Sequence, residues 1–246
     1  MAQRTFNSRR RKKRKNYWGM AMIAMGVGLV MFAAIYFATA AKTANTEPEV
    51  SDSLAGIRVV VDPGHGGFDG GTIGAAGTKE SDINLAIAKL VQKEFEGQGA
   101  EVVMLRETDE ALADEKQDDM QMRRELIETS GQDVTVSIHQ NRFEDPAVYG
   151  PQVFYAPGSI EGEKLAKCVQ DSLNQALEVA KPRVQMEGNY YIVKSGSVPA
   201  IIVECGFLSN PEEEAKLKTE EYQKKIAQAV REGVAAYLGA QPGRGV

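Results

Sequence analysis

The chain has 246 residues and a formal net charge of −5, with an ordinary share of apolar side chains. This length accommodates one sizeable α/β domain with appendages, or at most two small domains. Residues 1–15 contain eight Lys or Arg and no acid; without these charges the chain has 21 basic and 34 acidic residues. The excess of acidic residues after residue 15 argues against nucleic-acid binding, which needs a basic face to neutralise phosphates.

Residues 17–41 carry no charge and are rich in Met, Ala, Gly and Val, with aromatic residues near both ends. About 20 such residues suffice to cross a membrane, and the basic residues 1–16 would keep the amino end in the cytoplasm. We therefore expect a transmembrane anchor at 17–41, with the following chain outside the cytoplasm. A cleaved signal peptide is the alternative, because Ala38-Thr39-Ala40 fits a cleavage site; the protein would then be secreted.

Residues 42–55 are polar and are predicted to form a linker to a folded domain at 56–240. Within that domain, strand-like and helix-like segments alternate. The predicted strands are 57–61, 101–106, 134–138, 152–155, 190–193 and 200–203; the helices are 83–95, 118–128, 160–180 and two stretches after Asn210-Pro211. This alternation predicts a single α/β domain with a twisted, mostly parallel sheet and helices on both faces, preceded by the transmembrane helix.

The two histidines of the chain each follow a predicted apolar strand. His65 comes after Asp62-Pro63-Gly64, and His139 directly follows residues 134–138. A single histidine at a strand end is more often a hydrogen-bonded rim residue than a ligand. Here both histidines occupy equivalent places at the carboxyl ends of strands, where open α/β folds bind their ligands, which favours a shared site.

Two glutamates occupy related places. Glu80 precedes the first predicted helix, where the helix dipole alone would favour a carboxylate. Glu204 directly continues the apolar strand 200–203, so we expect it to be partly buried. Burying a carboxylate costs several kcal/mol unless a cation or donor compensates, and this favours a functional role for Glu204.

Two imidazoles and one carboxylate fit a catalytic zinc site that leaves one position open for water. We assign His65, Glu80 and His139 as the zinc ligands and Glu204 as the general base, a combination that predicts amide hydrolysis. A phosphate-binding loop at residues 64–74 is the alternative, but this stretch lacks the lysine and spacing of a P-loop. Cys168 and Cys205 show no metal-binding spacing.

Four segments resemble the type 3 N-acetylmuramoyl-L-alanine amidases, and the resemblance extends over residues 57–238. They are Val60-Val61-Asp62-Pro63-Gly64-His65-Gly66-Gly67, Lys79-Glu80, Ser137-Ile138-His139-Gln140-Asn141 and Val203-Glu204-Cys205-Gly206-Phe207-Leu208-Ser209-Asn210. The resemblance implies one zinc ion per chain and cleavage of the bond between the lactyl group of N-acetylmuramic acid and L-alanine in peptidoglycan. It carries the zinc ligands over to His65, Glu80 and His139, and the catalytic glutamate to Glu204.

Other features resemble the sporulation amidases of endospore-forming bacteria: Cys205 after Glu204, the segment 190–194 and a single amino-terminal anchor. The resemblance implies removal of peptides from muramic acid, so that a partner deacetylase can complete muramic-δ-lactam in spore cortex. It leaves the need for a protein activator open. Ile127-Glu128 stands where family members often have Ala-Asn, which leaves the role of Arg123 open.

Asn141 and Lys194 are the predicted substrate contacts, although a solvated surface charge accounts equally well for Lys194. Three alternatives to a cortex amidase remain. The chain could be an inactive wall-binding or activator homologue, a vegetative autolysin, or a zinc peptidase that cuts within the stem peptide. The presence of all four polar residues favours an active enzyme.

Overall fold

The computed structural model describes residues 54–239, in which six strands pair into one sheet. The strands are β1 (Arg58–Pro63), β2 (Glu101–Met104), β3 (Val134–Asn141), β4 (Gln152–Tyr155), β5 (Met186–Glu187) and β6 (Ala200–Phe207). Their order across the sheet is β2-β1-β3-β6-β4-β5. All neighbours pair in parallel except β4 and β6, which are antiparallel. The predicted α/β domain is confirmed, and this one pair makes its sheet mixed.

Helices cover both faces of the sheet. They are α1 (Glu80–Glu96), α2 (Lys116–Thr129), α3 (Ile160–Ala176), α4 (Pro211–Leu217) and α5 (Glu220–Gly239), with a short 3-10 helix at Ile192–Lys194. Successive side chains of a strand point to opposite faces. Val59 and Val61 of β1 accordingly join a core cluster with α1, α3 and α5, whereas Val60 joins a second cluster with Ile127 of α2 and Ile192.

The helix signals in the sequence correspond to real caps and buried stripes. The Asn210 side chain accepts hydrogen bonds from the backbone N–H groups of Glu212 and Glu213, and Pro211 occupies the first turn of α4. In α5, Ile226 and Val230 are fully buried, as expected for the apolar stripe of a helix packed on a sheet.

The structure differs from prediction at residues 190–193, which do not form a strand. Tyr190 and Tyr191 lie outside any strand, and Ile192 and Val193 belong to the 3-10 helix. Both apolar side chains are buried in the cluster shared with α2. Their apolar character therefore serves packing rather than strand pairing, and the short strand β5 occupies the sheet edge instead.

Strand β6 is also longer than predicted, because it continues through Glu204 to Phe207. In the sheet, Glu204 is aligned with His139 of β3 on one side and with Gln152 of β4 on the other. The charge of Glu204 ends the apolar run in the sequence but does not end the strand.

Within residues 54–239, no helix is long and apolar enough to cross a membrane. The expected anchor at 17–41 and the basic tail at 1–16 lie outside the described residues, as does most of the linker. These three assignments therefore stay predictions.

Candidate active site

His65 lies on a sharp turn just beyond β1, with a backbone φ of +60°. Side chains other than glycine rarely adopt this conformation, and it persists only where the surroundings hold it in place. Two buried arginines provide that restraint. Arg106 donates to the carbonyl oxygens of Pro63 at 2.8 Å and Gly64 at 3.0 Å, and Arg123 donates to those of Pro63 at 3.0 Å and His65 at 2.7 Å.

Arg123 is held by two carboxylates beneath this turn. It pairs with Asp62 of β1 and, at 2.8 Å, with Asp119 one helical turn earlier on α2. Burial alone would raise the pKa of Asp62, but the Arg123 guanidinium and the hydroxyl of Ser137 lower it below its usual range. The role of Arg123, which the sequence left open, is to support the turn that carries His65.

Glu80 contacts both histidines through the same carboxylate oxygen. Its Oε1 atom lies 3.2 Å from Nε2 of His65 and 3.0 Å from Nδ1 of His139. The potential ligand atoms of the three residues all lie within 4.8 Å of one another. Burial would raise the pKa of Glu80, but the hydrogen bonds with both imidazoles lower it well below its usual range. Glu80 is therefore an anionic acceptor between two ring nitrogens.

Backbone and side-chain donors fix the Glu80 carboxylate. Thr72 N–H donates to Oε2 at 2.8 Å, while the N–H of Gln140 at 3.1 Å and the side-chain amide of Asn84 at 3.3 Å donate to Oε1. The Thr72 contact comes from the glycine-rich loop at residues 64–74, and the Gln140 contact comes from β3. The cluster is thus assembled from three segments that are distant in the sequence.

Glycines let the backbone approach the cluster closely. A Cβ atom at Gly64 would overlap the His139 imidazole, and one at Gly71 would come within 2.8 Å of the His65 ring and 2.7 Å of the Glu80 carboxylate. Gly71 also has a φ of +67°, which favours glycine. The glycines of the loop at residues 64–74 therefore leave room for these side chains, which accounts for them without a phosphate-binding loop.

Asp69 orients His65 and was not recognised from the sequence. Its Oδ2 atom lies 3.0 Å from Nδ1 of His65 and 3.0 Å from Nζ of Lys116, while Gly71 N–H donates to Oδ1 at 3.1 Å. Although burial opposes it, hydrogen bonding from His65 and Lys116 lowers the pKa of Asp69 to about 2. Its spacing of four residues from His65 within the same loop was the signal available.

Glu204 is half-buried, and its Oε2 atom is buried without a hydrogen-bond partner among the described residues. Burial is the main cause that raises the pKa of Glu204 to about 7, and the charge of Glu80 adds to it, although His139 opposes the shift. A carboxyl with this pKa can both accept and return a proton near neutral pH.

One cavity of about 370 Å³ brings most of the predicted site residues together. Its lining includes His65, Glu80, His139, Asn141 and Glu204, together with Tyr190 and Tyr191, which sequence reasoning did not place in the site. Lys194 does not line it; its Nζ donates to Asn189 Oδ1 at 2.9 Å. The roles of these residues in catalysis and substrate binding stay predictions, and Lys194 has the least support from the geometry.

The cluster of His65, Glu80 and His139 could hold a metal ion. Two observations fit such an ion: three potential ligands converge on one point, and Asp69 contacts the ring nitrogen of His65 that faces away from Glu80. Carboxylate contacts of this kind orient metal-binding histidines in proteins.

Comparisons with known proteins agree with this geometry. A family model for type 3 amidases, described as N-acetylmuramoyl-L-alanine amidase, matches residues 59–236. The germination-specific N-acetylmuramoyl-L-alanine amidase of Bacillus subtilis is 36% identical over 193 residues, which cover 75% of this chain and 81% of the relative. The amidase AmiA of Escherichia coli is 30% identical over 243 residues, covering 80% and 82% of the two chains.

A solved structure has the same fold. The CwlD amidase from Clostridioides difficile, in complex with the GerS lipoprotein, matches with a TM-score of 0.72 and 34% identity, covering 75% of this chain and 100% of that one. The family model extends over most of the described domain, and the site residues lie within it. The chain therefore belongs to the type 3 N-acetylmuramoyl-L-alanine amidases, a family of peptidoglycan-cleaving enzymes.

Proposed function

We propose that this peptidoglycan amidase is zinc-dependent and that it acts in the maturation of spore cortex. The observation that carries the zinc assignment is the convergence of His65, Glu80 and His139 within 4.8 Å. Two imidazoles and one carboxylate form a common donor set for catalytic zinc. The unpartnered carboxylate oxygen of Glu204 in the same cavity supplies a group that can work beside the metal.

In this proposal, the residues of the chain divide the chemistry among them. Zinc, when bound, would polarise the scissile carbonyl and make water acidic enough to ionise near neutral pH. Glu204 takes the proton of the attacking water and returns it to the nitrogen of L-alanine as the C–N bond breaks. The products are the free lactyl carboxyl of muramic acid and the free amine of the stem peptide.

Other residues near the cluster orient the zinc ligands or contact the substrate. Asp69 accepts a hydrogen bond from the Nδ1–H group of His65, so Nε2, which lies beside Glu80, is the ring nitrogen that would bind the zinc ion. Asn141 borders the same cavity and offers an amide to a peptide or sugar group of the substrate. For Lys194 to contact the substrate as well, its side chain would have to break its hydrogen bond with Asn189.

The proposed cortex role rests on similarity to a named relative and on features of the sequence. The Bacillus subtilis relative is named for a specific function in germination, and Cys205 and the segment 190–194 resemble sporulation amidases. In this role the enzyme would remove stem peptides so that a partner deacetylase can complete muramic-δ-lactam. The CwlD amidase was solved in complex with the GerS lipoprotein, which supports a protein partner for this chain and makes an activator one such candidate.

The location of the enzyme is part of the proposal. Residues 17–41 would anchor the chain in the membrane, and residues 56–240 would form a catalytic domain outside the cytoplasm, where peptidoglycan lies. If the segment is cleaved after Ala40, the same domain would be secreted. Sequencing the amino terminus of the mature protein separates these two outcomes.

Digestion of purified peptidoglycan tests the enzymatic proposal directly. The full chain loaded with zinc should release intact stem peptides, as identified by mass spectrometry, and a chelator should stop the release until zinc is restored. Glu204→Gln should retain zinc but lose turnover. Full activity in a metal-free preparation would refute the zinc assignment, and fragments cut within the stem peptide would identify a peptidase. Glycan binding without any released peptide would identify an inactive homologue.

A second experiment addresses the biological role. Spores of a strain lacking the gene should contain cortex with normal glycan strands but little muramic-δ-lactam, while vegetative wall composition stays unchanged. The reverse pattern, with altered vegetative wall turnover and normal cortex, would favour the vegetative autolysin.

A further inference from the structure

Two consecutive tyrosines form one wall of the active-site cavity. Tyr190 and Tyr191 precede the 3-10 helix and line the same cavity as Glu204. They remain 41% and 42% exposed, respectively, although the residues that follow, Ile192 and Val193, are buried. Large aromatic side chains left half-exposed inside a functional cavity are candidates for ligand contacts.

The Tyr190 ring is held in a fixed orientation. It makes an edge contact with Phe154 of β4, with ring centroids 5.3 Å apart and planes inclined by 68°. On another side it lies against the backbone of Gly188, where a Cβ atom would overlap the ring. The ring is therefore positioned before any ligand arrives, which lowers the entropy cost of binding.

The Tyr191 ring lies against the guanidinium of Arg124, whose charge is balanced by Glu128. The Arg124 guanidinium lies 5.6 Å from the centroid of the Tyr191 ring, and its Nε atom donates to Glu128 at 2.6 Å. This wall consequently offers aromatic surface with little net charge. It suits an uncharged ligand with an apolar face better than a peptide that carries free carboxylates.

The wall adjoins the group that performs the chemistry. Burial is the main reason that the pKa of the Tyr190 phenol is raised, and the nearby charge of Glu204 contributes to the rise. Ile202 and Glu204, two residues apart on β6, point to the same face of the sheet and both line the cavity. A substrate whose scissile carbonyl lies beside Glu204 therefore has the tyrosines as neighbours.

The structure of the substrate indicates which group would bind to the tyrosines. In the bond that this family cleaves, the scissile carbonyl belongs to a lactyl group, and the ether oxygen of that group joins it directly to a hexopyranose ring. One face of such a ring presents C–H groups and its edge presents hydroxyls, a combination that matches an aromatic face bearing a phenol. We propose that Tyr190 and Tyr191 form a sugar-binding site for the glycan strand on the acyl side of the scissile amide, an inference that rests on the proposed amidase function.

Titration with peptide-free glycan strands tests this site without requiring turnover. We expect Tyr190→Ala and Tyr191→Ala each to weaken glycan binding about tenfold in isothermal titration calorimetry, while binding of the free stem peptide stays within about twofold. Tyr191→Phe keeps the ring, so it should bind glycan about threefold more tightly than Tyr191→Ala does. Gly188→Ala should weaken glycan binding by displacing the Tyr190 ring without removing it.

Phe143→Ala is the matched control, because Phe143 is an exposed aromatic residue close in sequence to Asn141 that does not line the cavity. It should bind glycan like the unmodified chain. Circular dichroism and zinc content of every variant establish that the fold is retained. If an alanine variant fails to fold, the corresponding leucine variant retains apolar bulk and should show the same loss of glycan affinity.

Three results would overturn the sugar site: no glycan binding by the unmodified chain, unaltered glycan affinity in both alanine variants, or a loss confined to the stem peptide. The same measurements distinguish a failure of the sugar site from a failure of the amidase proposal. If the unmodified chain binds glycan through the tyrosines but releases no stem peptide with zinc present, the sugar site stands and the proposed function fails. If the unmodified chain releases stem peptide but neither alanine variant changes the glycan affinity, the proposed function stands and the sugar site fails.

Discussion

The Nδ1 atom of His65 lies 3.0 Å from Oδ2 of Asp69, four residues further along the same loop. This contact makes Nδ1 a hydrogen-bond donor to Asp69, so Nε2, which lies beside Glu80, is the ring nitrogen that would bind a metal ion. Lys116 and the backbone N–H of Gly71 hold the Asp69 carboxylate in turn. The orientation of a predicted zinc ligand thus depends on a residue that would not itself touch the ion.

Replacing Asp69 should therefore weaken metal binding. We expect Asp69→Ala to lower zinc affinity by about 10–100-fold, the usual effect of removing such a partner, as measured by competition with a chromophoric chelator. Asp82→Ala is the control, because Asp82 is an exposed carboxylate in the first turn of α1. Equal zinc affinity in both variants would contradict the orienting role of Asp69.

The protonation of Glu204 should set the acid limb of activity. Its carboxyl has a pKa raised to about 7, and it can accept a proton only above its pKa, so kcat/KM should fall as the pH is lowered through this region. A divalent ion in the neighbouring cluster favours the carboxylate, so the midpoint of the limb should lie at or below about 7. A pH–rate profile measured at saturating zinc checks this. Residual activity in Glu204→Gln that keeps the same limb would assign the limb to another group.

The sequence predicted the framework of the site better than its supporting contacts. His65, His139 and Glu204 could be placed because strand ends are readable from apolar runs, and parallel strands bring such ends to one edge. Asp69, Arg106 and the tyrosine wall could not be placed in the same way.

The reason is that these residues act through contacts distant in the sequence. Arg106 reaches the turn after β1 from beyond β2, and no local pattern encodes that contact. For Tyr190–Val193, short apolar runs fit a strand and a packed turn equally well. In the structure, Ile192–Lys194 form a 3-10 helix, which lets Ile192 and Val193 pack in the cluster that includes Ile127 of α2.

Removing Arg123 should destabilise the fold, because Asp62 and Asp119 would be left buried without their cation. We expect Arg123→Met to lower the free energy of unfolding by about 3–5 kcal/mol, measured by urea denaturation. Arg124→Met is the matched control on the same helix, since Arg124 is exposed and pairs with Glu128 across one helical turn. Its free energy of unfolding should change little. Equal losses in the two variants would mean that the buried pair is not the cause.

The same ion pair should make stability depend on pH. The pKa of Asp62 is lower in the folded chain than its ordinary value of 3.8, so the unfolded chain binds the proton more readily. The contribution of this pair is therefore complete above about pH 5 and is lost as the pH falls through the folded pKa. Urea denaturation at stepwise lower pH should show this loss in the unmodified chain. In Asp62→Asn the loss should be smaller, and an identical pH dependence would exclude Asp62 as its source.

Gly64 should be indispensable for metal binding because of its contact with His139. A Cβ atom at this position would overlap the His139 ring, and the shift needed to relieve the overlap would move a predicted zinc ligand. We expect Gly64→Ala to lower zinc affinity at least about 100-fold, since a displaced ring nitrogen no longer meets the other ligands. Gly70→Ala is the control from the same loop, because its Cβ would make only ordinary contacts at 3.8 Å or more. Zinc affinity measured by chelator competition should stay within about twofold for Gly70→Ala, and a Gly64→Ala variant that binds zinc equally well would show that His139 is not a ligand.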